Sequence, residues 1–99
     1  MFCPYLYSCL QGNEPMFNCF ARVEVHPVEV RYQGTSVEYL GMCKRAVPNP
    51  VLWTVYGHYY NGEIIAITDR PCRESAYRIA SYFERRFGVP LVADADTFH

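Results

Sequence analysis

The stretch 51–88 constrains the fold most, because it predicts a hairpin followed directly by a helix. Its first part, Val51–Tyr60, is rich in the aromatic and β-branched residues that are typical of strands. Asn61 and Gly62 follow, and this dipeptide favours a type I′ turn because both central positions of that turn need positive φ. We therefore expect a second strand over 63–68 and a helix over 72–87.

A two-residue turn fixes the predicted register of this hairpin. Gly57 then lies opposite Ala66, and two small residues side by side leave room for a helix to approach. The face predicted to pack against the helix carries Trp53, Val55, Gly57, Tyr59, Ile64, Ala66 and Thr68. The other face carries Thr54, Tyr56, His58, Tyr60, Glu63, Ile65 and Ile67. This second face is too apolar for open water, so either residues 1–20 or a partner covers it.

The predicted helix is amphipathic. Its apolar stripe comprises Cys72, Ala76, Ile79, Ala80, Phe83 and Phe87. Polar and charged residues occupy the opposite side, where Glu74 and Arg78 are spaced for an i, i+4 ion pair. Gly88 is suited to the position after the last helical turn, and Pro90 prevents the helix from continuing.

The first half of the chain predicts further strands. Phe17–Val25 alternates between apolar and polar residues, and we expect this strand to end at His26 and Pro27 because proline cannot donate to a ladder. A second hairpin is predicted around Gln33 and Gly34, and a last short strand over 91–93. Residues 1–15 are predicted to pack as a cover over the domain; alternatively, Met16 is an internal start and they are dispensable.

These elements predict a single α+β domain over residues 1–99. We expect an antiparallel sheet of four to five strands, with one C-terminal amphipathic helix packed on one face. A length of 99 residues fits one domain, and no run is long and apolar enough for a membrane span. The formal net charge of −1 argues against a nucleic-acid binder that is held by bulk charge.

The cysteines and histidines offer few candidates for chemistry. The five cysteines are an odd number without a preceding secretion signal, which predicts free thiols in a reducing compartment, the cytoplasm. No Cys or His residues show the paired spacing of a zinc site, so we expect no metal and no cofactor. His58 has only Glu63 as a diagonal neighbour on the predicted face, an arrangement that is more often structural than catalytic.

Cys72 is the one candidate nucleophile. It lies at the predicted helix N-terminus between Arg70 and Arg73, where amides and cations stabilise a thiolate. Its spacing from Arg78 matches the C-x5-R pattern of cysteine phosphatases, but the intervening residues lack glycine and include Glu74. We predict that the protein is not an enzyme, and a thiol-dependent activity at Cys72 is the alternative to be tested.

Arginines and tyrosines indicate a contact surface. The outer side of the predicted helix is rich in arginine, a pattern that indicates either a solvated face or a surface for phosphates or acidic patches. The nine tyrosines are typical of interfaces but also of strand faces that a small domain cannot fully bury. The predicted partner-binding residues are Arg73, Arg78, Arg85, Arg86, Tyr56, His58 and Tyr60.

The C-terminal half resembles a pattern of small phage and mobile-element proteins, including α+β proteins of the anti-CRISPR type. The residues that carry the resemblance are Trp53, Val55–His58, Gly62, Ala66, Ile67, Asp69, Arg73–Ala76, Ile79 and Ala80. The resemblance implies a non-enzymatic inhibitor that occludes a functional site on a large protein or ribonucleoprotein complex in the cytoplasm of a bacterial host. The alternative function is a small nucleic-acid-binding or regulatory module that uses the arginine-rich helix.

Overall fold

A computed structural model describes residues 3, 5–28, 30–33, 36–39 and 52–92, with the backbone alone for 30–33 and 36–39. In chain order the elements are β1 (Phe20–Val28), β2 (Val30–Gln33), β3 (Ser36–Tyr39), β4 (Leu52–Tyr59), β5 (Ile64–Arg70), α1 (Arg73–Phe87) and β6 (Leu91–Val92). The main sheet has the strand order β5-β4-β1-β6, and β2 pairs with β3 in a separate ladder. The helix α1 packs on one face of the main sheet.

The predicted α+β class is confirmed, but the main sheet is mixed rather than antiparallel. β4 is antiparallel to both β1 and β5, whereas β6 is parallel to β1. The reason is the connection through α1, which carries the chain back across the sheet so that the next strand runs in the direction of β5. The predicted second hairpin is confirmed as β2 and β3, but Gln33, which was expected in the turn, is the last residue of β2 and pairs with Ser36.

The central hairpin is present, but its predicted two-residue turn is wrong. Tyr59 N–H donates to Glu63 O at 2.8 Å, so the loop comprises Tyr60, Asn61 and Gly62. Gly62 alone among these has positive φ, at 95°, which is the pattern of a three-residue loop that ends in a left-handed glycine. The Asn61 side-chain oxygen accepts a hydrogen bond from Glu63 N–H at 2.9 Å and holds the loop in this form.

The longer loop shifts the register by one residue, and a bulge in β5 shifts it back. Near the loop, Gly57 lies opposite Ile65 instead of Ala66. Beyond the bulge, Val55 lies opposite Thr68, as the two-residue turn had predicted. Ile67 is the extra residue in β5, so it shares the helix side with Ile65. The predicted helix face is therefore correct for β4 and wrong for the first half of β5.

The first strand also differs from its prediction. Phe17–Cys19 form a 3-10 turn, and β1 begins at Phe20 and continues through Pro27 to Val28. Among the described residues, β6 pairs with β1 at Val23 and Glu24 and not at Pro27, so the described part of that ladder needs no hydrogen bond from the proline nitrogen. A bulge between Phe20 and Arg22 turns Phe20 to the helix side, although the alternation predicts the opposite.

The core lies between the main sheet and α1, and it combines aliphatic side chains with a cluster of aromatic rings. The buried aliphatic residues are Val23, Val25, Val55, Ile67, Ala76, Ile79, Ala80 and Val89. Tyr7 is 1% exposed and its ring stacks on Phe83 at 5.9 Å between centroids. Phe17 stacks on Phe87 at 4.0 Å. The amino-terminal segment therefore packs mainly on the helix side, and at the edge of β5 its Cys9 also lies close to Asp69 and Tyr56 on the other face.

The amino-terminal segment also covers the edge of β5. Its 3-10 turn, Ser8–Leu10, lies beside β5. The hydroxyls of Ser8 and Thr68 are hydrogen-bonded at 3.0 Å, and the Ser8 hydroxyl accepts a second hydrogen bond from Asp69 N–H at 3.0 Å. These contacts satisfy a backbone donor of an edge strand, which would otherwise face solvent or another chain. A structural role for residues 5–15 follows from these bonds and from the burial of Tyr7.

Replacing Gly57 with alanine should destabilise the domain by about 1–3 kcal/mol. The new Cβ would lie 2.6 Å from the Phe20 ring. The ring has little room to move, because Phe17 and Tyr59 pack against it at centroid distances of 5.6 and 4.8 Å. Urea unfolding measures the loss. In the background of Phe20→Leu the same substitution should cost much less. An equal cost in both backgrounds would contradict the steric explanation.

Truncating the chain so that it starts at Met16 should destabilise the domain by about 3–5 kcal/mol. The truncation removes the Tyr7 ring from the core and thereby creates a cavity beside Phe83. Thermal unfolding of the full and truncated chains provides the comparison, with Tyr5→Ala as the control because that side chain is 61% exposed. If the truncated chain were as stable as the full chain, the result would instead support the alternative that residues 1–15 are dispensable.

Candidate functional site

The predicted partner-binding residues separate into an exposed set and a buried pair. Arg73, Arg78, Arg85 and Arg86 lie on the exposed side of α1, and we call them the arginine surface. Tyr60 is 76% exposed at the tip of the central hairpin. Tyr56 and His58, in contrast, are only 8% and 5% exposed on the sheet face away from α1. Because these two side chains are buried, they are not accessible to a binding partner in this structure.

The sequence of α1 dictates this exposure. Ala76, Ile79, Ala80 and Phe83 are buried at helical spacing, so the residues between them point away from the sheet. Cys72 is the N-cap in an extended conformation, and Gly88 ends the helix at φ 72°. Arg85 and Arg86 lie in the last turn, where cations interact favourably with the helix dipole.

The arginines of α1 differ in their local partners. The Arg73 guanidinium lies 4.6 Å from the centroid of the Tyr77 ring, and that of Arg86 lies 5.1 Å from the Phe87 centroid. Within the described part of the chain, no carboxylate forms an ion pair with Arg78 or Arg85, and the predicted Glu74–Arg78 pair is not formed. Two guanidinium groups of the arginine surface are thus available for an anionic partner.

A shallow groove of about 450 Å³ separates α1 from the amino-terminal segment. We call it the helix groove. Its lining comprises Cys3, Tyr5, Leu6, Arg78, Ile79, Tyr82 and Arg85. Tyr82 is 37% exposed and Tyr5 61%, so aromatic rings border the groove and remain accessible. The groove thus combines an apolar lining with two cations, an arrangement that suits an amphipathic anionic ligand.

The opposite face of the sheet holds a second constellation, which is buried and polar. Cross-strand pairing brings Arg22 beside His58, Glu24 beside Tyr56, and His26 beside Thr54. Alternate residues of a strand share one face, so all six project away from α1. Glu24 is 6% exposed and His26 is fully buried.

Glu24 is the centre of this buried polar face. One carboxylate oxygen contacts His26 Nε2 at 2.7 Å, and the other accepts a hydrogen bond from Arg22 Nε and lies 3.4 Å from His58 Nε2. Burial alone would raise the pKa of this carboxyl, but the hydrogen bonds from Arg22 and His26 and the charges of His58 and Arg22 outweigh it. The pKa of Glu24 is therefore lowered.

The predicted contact of His58 with Glu63 is not formed. Because the hairpin loop has three residues, Glu63 lies opposite Tyr59 and is exposed, while His58 lies opposite Ile64. His58 instead approaches Arg22, whose Nη2 is 3.3 Å from His58 Nδ1. The physical reason is that β4 has a second neighbour, β1, which hairpin reasoning alone does not include.

Asp69 forms a smaller polar group at the edge of this face. It accepts a hydrogen bond from the Thr54 hydroxyl at 2.6 Å. Burial and the nearby Asp69 carboxylate raise the pKa of the Cys9 thiol to about 12. Burial likewise raises the pKa of Tyr56 to about 12. Cys9 is thus held as a neutral thiol at neutral pH, which is the opposite of what a nucleophile needs.

The described cysteines form no disulfide bond. Cys3, Cys9, Cys19 and Cys72 are free thiols, as predicted, whereas Cys43 lies outside the described residues. Cys72 is exposed at the helix N-terminus, and its side chain makes no capping hydrogen bond. Among the residues that the structure describes, no group of three or more His, Cys, Asp or Glu side chains is arranged to hold a metal ion.

Sequence reasoning missed Glu24 and Arg22 as members of a buried network. The available signal was the spacing of Arg22, Glu24 and His26 at alternate positions of one strand. The same spacing is typical of a strand face that is exposed to solvent. Only the burial of β1 on both faces shows that these residues form a buried network instead.

Comparison of the chain with protein-family models, curated proteins and solved structures finds no match. The resemblance to anti-CRISPR proteins therefore stays a prediction that rests on the residues of the C-terminal half. In the described part of the chain, no helix has both the length and the apolar character that crossing a membrane requires.

Replacing Glu24 with glutamine should destabilise the domain by about 1–3 kcal/mol near neutral pH, because Arg22 and His26 would face an amide instead of a carboxylate. The lowered pKa means that the ionised carboxylate stabilises the fold above the ordinary value of 4.5, and that this contribution is lost as the pH falls further. The stability difference between wild type and variant should therefore shrink on acidification.

Urea unfolding at about pH 6 and about pH 3 measures this change. Glu63→Gln is the matched control, since that exposed side chain should alter stability by less than about 0.5 kcal/mol at either pH. A difference for Glu24→Gln that stays constant across this range would refute the role of the charge.

Proposed function

We propose that this chain is a non-enzymatic protein-binding inhibitor whose contact surface is the arginine surface of α1. The observation that carries the proposal is the exposure of Arg78 and Arg85, which have no ion-pair partner among the described carboxylates. Arginine is enriched at binding hot spots because its planar guanidinium pairs with carboxylates in bidentate geometry. An acidic patch on a larger protein or ribonucleoprotein complex is the partner that this surface fits.

The architecture of the domain supports a binding role. The carboxylate of Glu24 contacts the imidazoles of His26 and His58, and all three side chains are buried inside the domain. Their mutual contacts hold β1 to β4, which makes the sheet a firm support for α1. A rigid support favours binding because little conformational freedom is then lost when a partner is engaged.

Tyr60 supplies a second exposed contact. It lies at the hairpin tip, and its backbone N–H donates to Cys19 O at 3.2 Å, which ties the tip to the 3-10 turn before β1. A fixed tyrosine offers a large contact area at low entropic cost. The proposed surface therefore comprises the arginine surface with Tyr60, and it omits Tyr56 and His58 because they are buried.

The resemblance of the C-terminal half to anti-CRISPR proteins extends the proposal to the class of partner. On that basis the target is a bacterial defence complex in the host cytoplasm, and the inhibitor acts by occluding a functional site. Affinity capture tests this directly. Tagged protein is exposed to a bacterial lysate that contains defence complexes, with and without nuclease, and the captured proteins are identified by mass spectrometry.

Charge reversal at two arginines should abolish the capture while leaving the fold intact. In Arg78→Glu/Arg85→Glu, loss of hot-spot contacts of about 2 kcal/mol or more predicts affinity lower by at least about thirtyfold. Both side chains are exposed, so circular dichroism and urea unfolding should match wild type. Glu74→Arg makes the opposite charge change on the same helix and should retain or tighten binding.

Each outcome of the capture experiment is informative. A multi-subunit partner at defined stoichiometry that is lost with the arginine pair supports the proposal. Capture at wild-type affinity by the charge-reversed variant overturns the arginine surface as the contact. Recovery of a partner only without nuclease assigns the surface to nucleic acid, and its binding should then fall steeply with salt.

A further inference from the structure

We propose that the helix groove binds one extended acidic segment of the partner, in which an apolar side chain lies between two carboxylates. This inference rests on the proposed function and specifies the chemistry of the segment that is bound. It is carried by the arrangement of Arg78, Ile79, Tyr82 and Arg85 along α1 and by the amino-terminal segment that faces them.

The order of residues along the groove is cation, apolar, cation. Arg78 and Arg85 are seven positions apart on α1, so they lie on the same side of the helix and about 10 Å apart along its axis. Ile79 and Tyr82 occupy the turn between them. Leu6 provides a further apolar contact from the amino-terminal segment, so the middle of the groove is apolar.

Further residues strengthen the positive character of the groove. The Arg70 guanidinium lies 4.6 Å from the centroid of Tyr5, which borders the groove and thus brings a third cation close to it. None of the described residues that line the groove is acidic. A carboxylate entering at either end would therefore meet an arginine without a competing acid on the groove wall.

An extended peptide matches this spacing. Side chains of an extended chain alternate between two sides and rise about 3.3 Å per residue, so positions i, i+2 and i+4 share one side over about 13 Å. Glutamates at i and i+4 can then reach the two arginines with their flexible side chains, and an apolar residue at i+2 contacts Ile79 and Tyr82. The bound segment therefore has the pattern Glu-x-Leu-x-Glu or a close variant.

The same features favour a peptide over a nucleic-acid strand. A single strand binds along a positively charged groove and stacks its bases on aromatic rings, whereas the described lining of this groove carries only two cations, about 10 Å apart along α1, with Ile79 between them. The formal net charge of −1 adds no long-range attraction for a polyanion. An apolar side chain between two carboxylates contacts the aliphatic Ile79 and Leu6 as well as both cations, whereas a base gains most from stacking on an aromatic ring and gains less from these two aliphatic side chains.

Fluorescence anisotropy with a labelled, capped peptide tests the inference. The probe is Gly-Glu-Gly-Leu-Gly-Glu-Gly, and it should bind the full chain measurably. Replacing both glutamates of the probe with glutamine, or its leucine with serine, should weaken binding by about tenfold or more. Arg78→Glu and Arg85→Glu should each have an effect of the same size.

Met16→Glu/Asn18→Glu is the matched control. It changes the net charge by the same two units as one Arg→Glu change, but these exposed residues lie outside the arginine surface and do not line the groove, so affinity for the probe should change by less than about twofold at physiological salt. Tyr5→Ser should reduce the preference for leucine over serine in the probe, and its 61% exposure predicts an intact fold.

Three results would overturn the inference. The first is the absence of probe binding to wild type, and the second is an equal loss in Met16→Glu/Asn18→Glu, which would indicate that binding depends on bulk charge. The third is tight binding of a short oligothymidine that Arg78→Glu abolishes, which would assign the groove to nucleic acid. If the lysate partner is captured through Arg78 and Arg85 but the probe does not bind, the proposed function stands and the acidic-segment inference fails.

Discussion

Strand β1 is buried on both faces, so one short sequence has to satisfy two different environments. Val23 and Val25 point into the core beneath α1, whereas Glu24 and His26 point to the other side and are equally inaccessible. Burying a carboxylate is costly unless its charge is compensated and its lone pairs are occupied. Glu24 meets this condition through Arg22, His26 and His58, so the pairing of β1 with β4 determines where the charges can be placed.

Two bulges make this arrangement compatible with a single apolar core. The bulge between Phe20 and Arg22 lets an aromatic ring face the helix while the next charged residue faces away. The bulge at Ile67 brings two isoleucines of β5 to the helix side. In each strand one extra residue changes the face of the sheet on which the following side chains lie. Apolar and polar residues can therefore lie on separate faces even though they do not alternate regularly along the sequence.

The proposed binding surface depends on this core in a direct way. The helix is anchored by Ile79 and Phe83, so its arginines are held outward. The helix groove exists because the amino-terminal segment is also anchored, through Tyr7 on Phe83 and through the Ser8 hydroxyl on β5. Two segments that are far apart in sequence thus form one surface, and the firmness of that surface derives from aromatic packing beneath it.

The sequence by itself determined the local elements that short-range patterns control. The hairpin before the helix, the helix with its apolar stripe and glycine end, and the α+β class all follow from side-chain periodicity and turn residues within a few positions. The exposure of the arginines on α1 follows from the same periodicity, so these members of the candidate site were predictable.

Only the tertiary structure decided the strand neighbours and, with them, the environment of each polar residue. Nothing local in the sequence reveals that β1 pairs with β4 or that β6 runs parallel to β1. The sequence likewise does not reveal that the loop of the central hairpin has three residues instead of two. Tyr56 and His58 therefore changed from predicted contact residues to buried ones, and Glu24 emerged as the partner of two histidines. The physical reason is that burial and charge pairing depend on residues brought together across the sheet, whereas helical and turn propensities depend on residues that are adjacent in the chain.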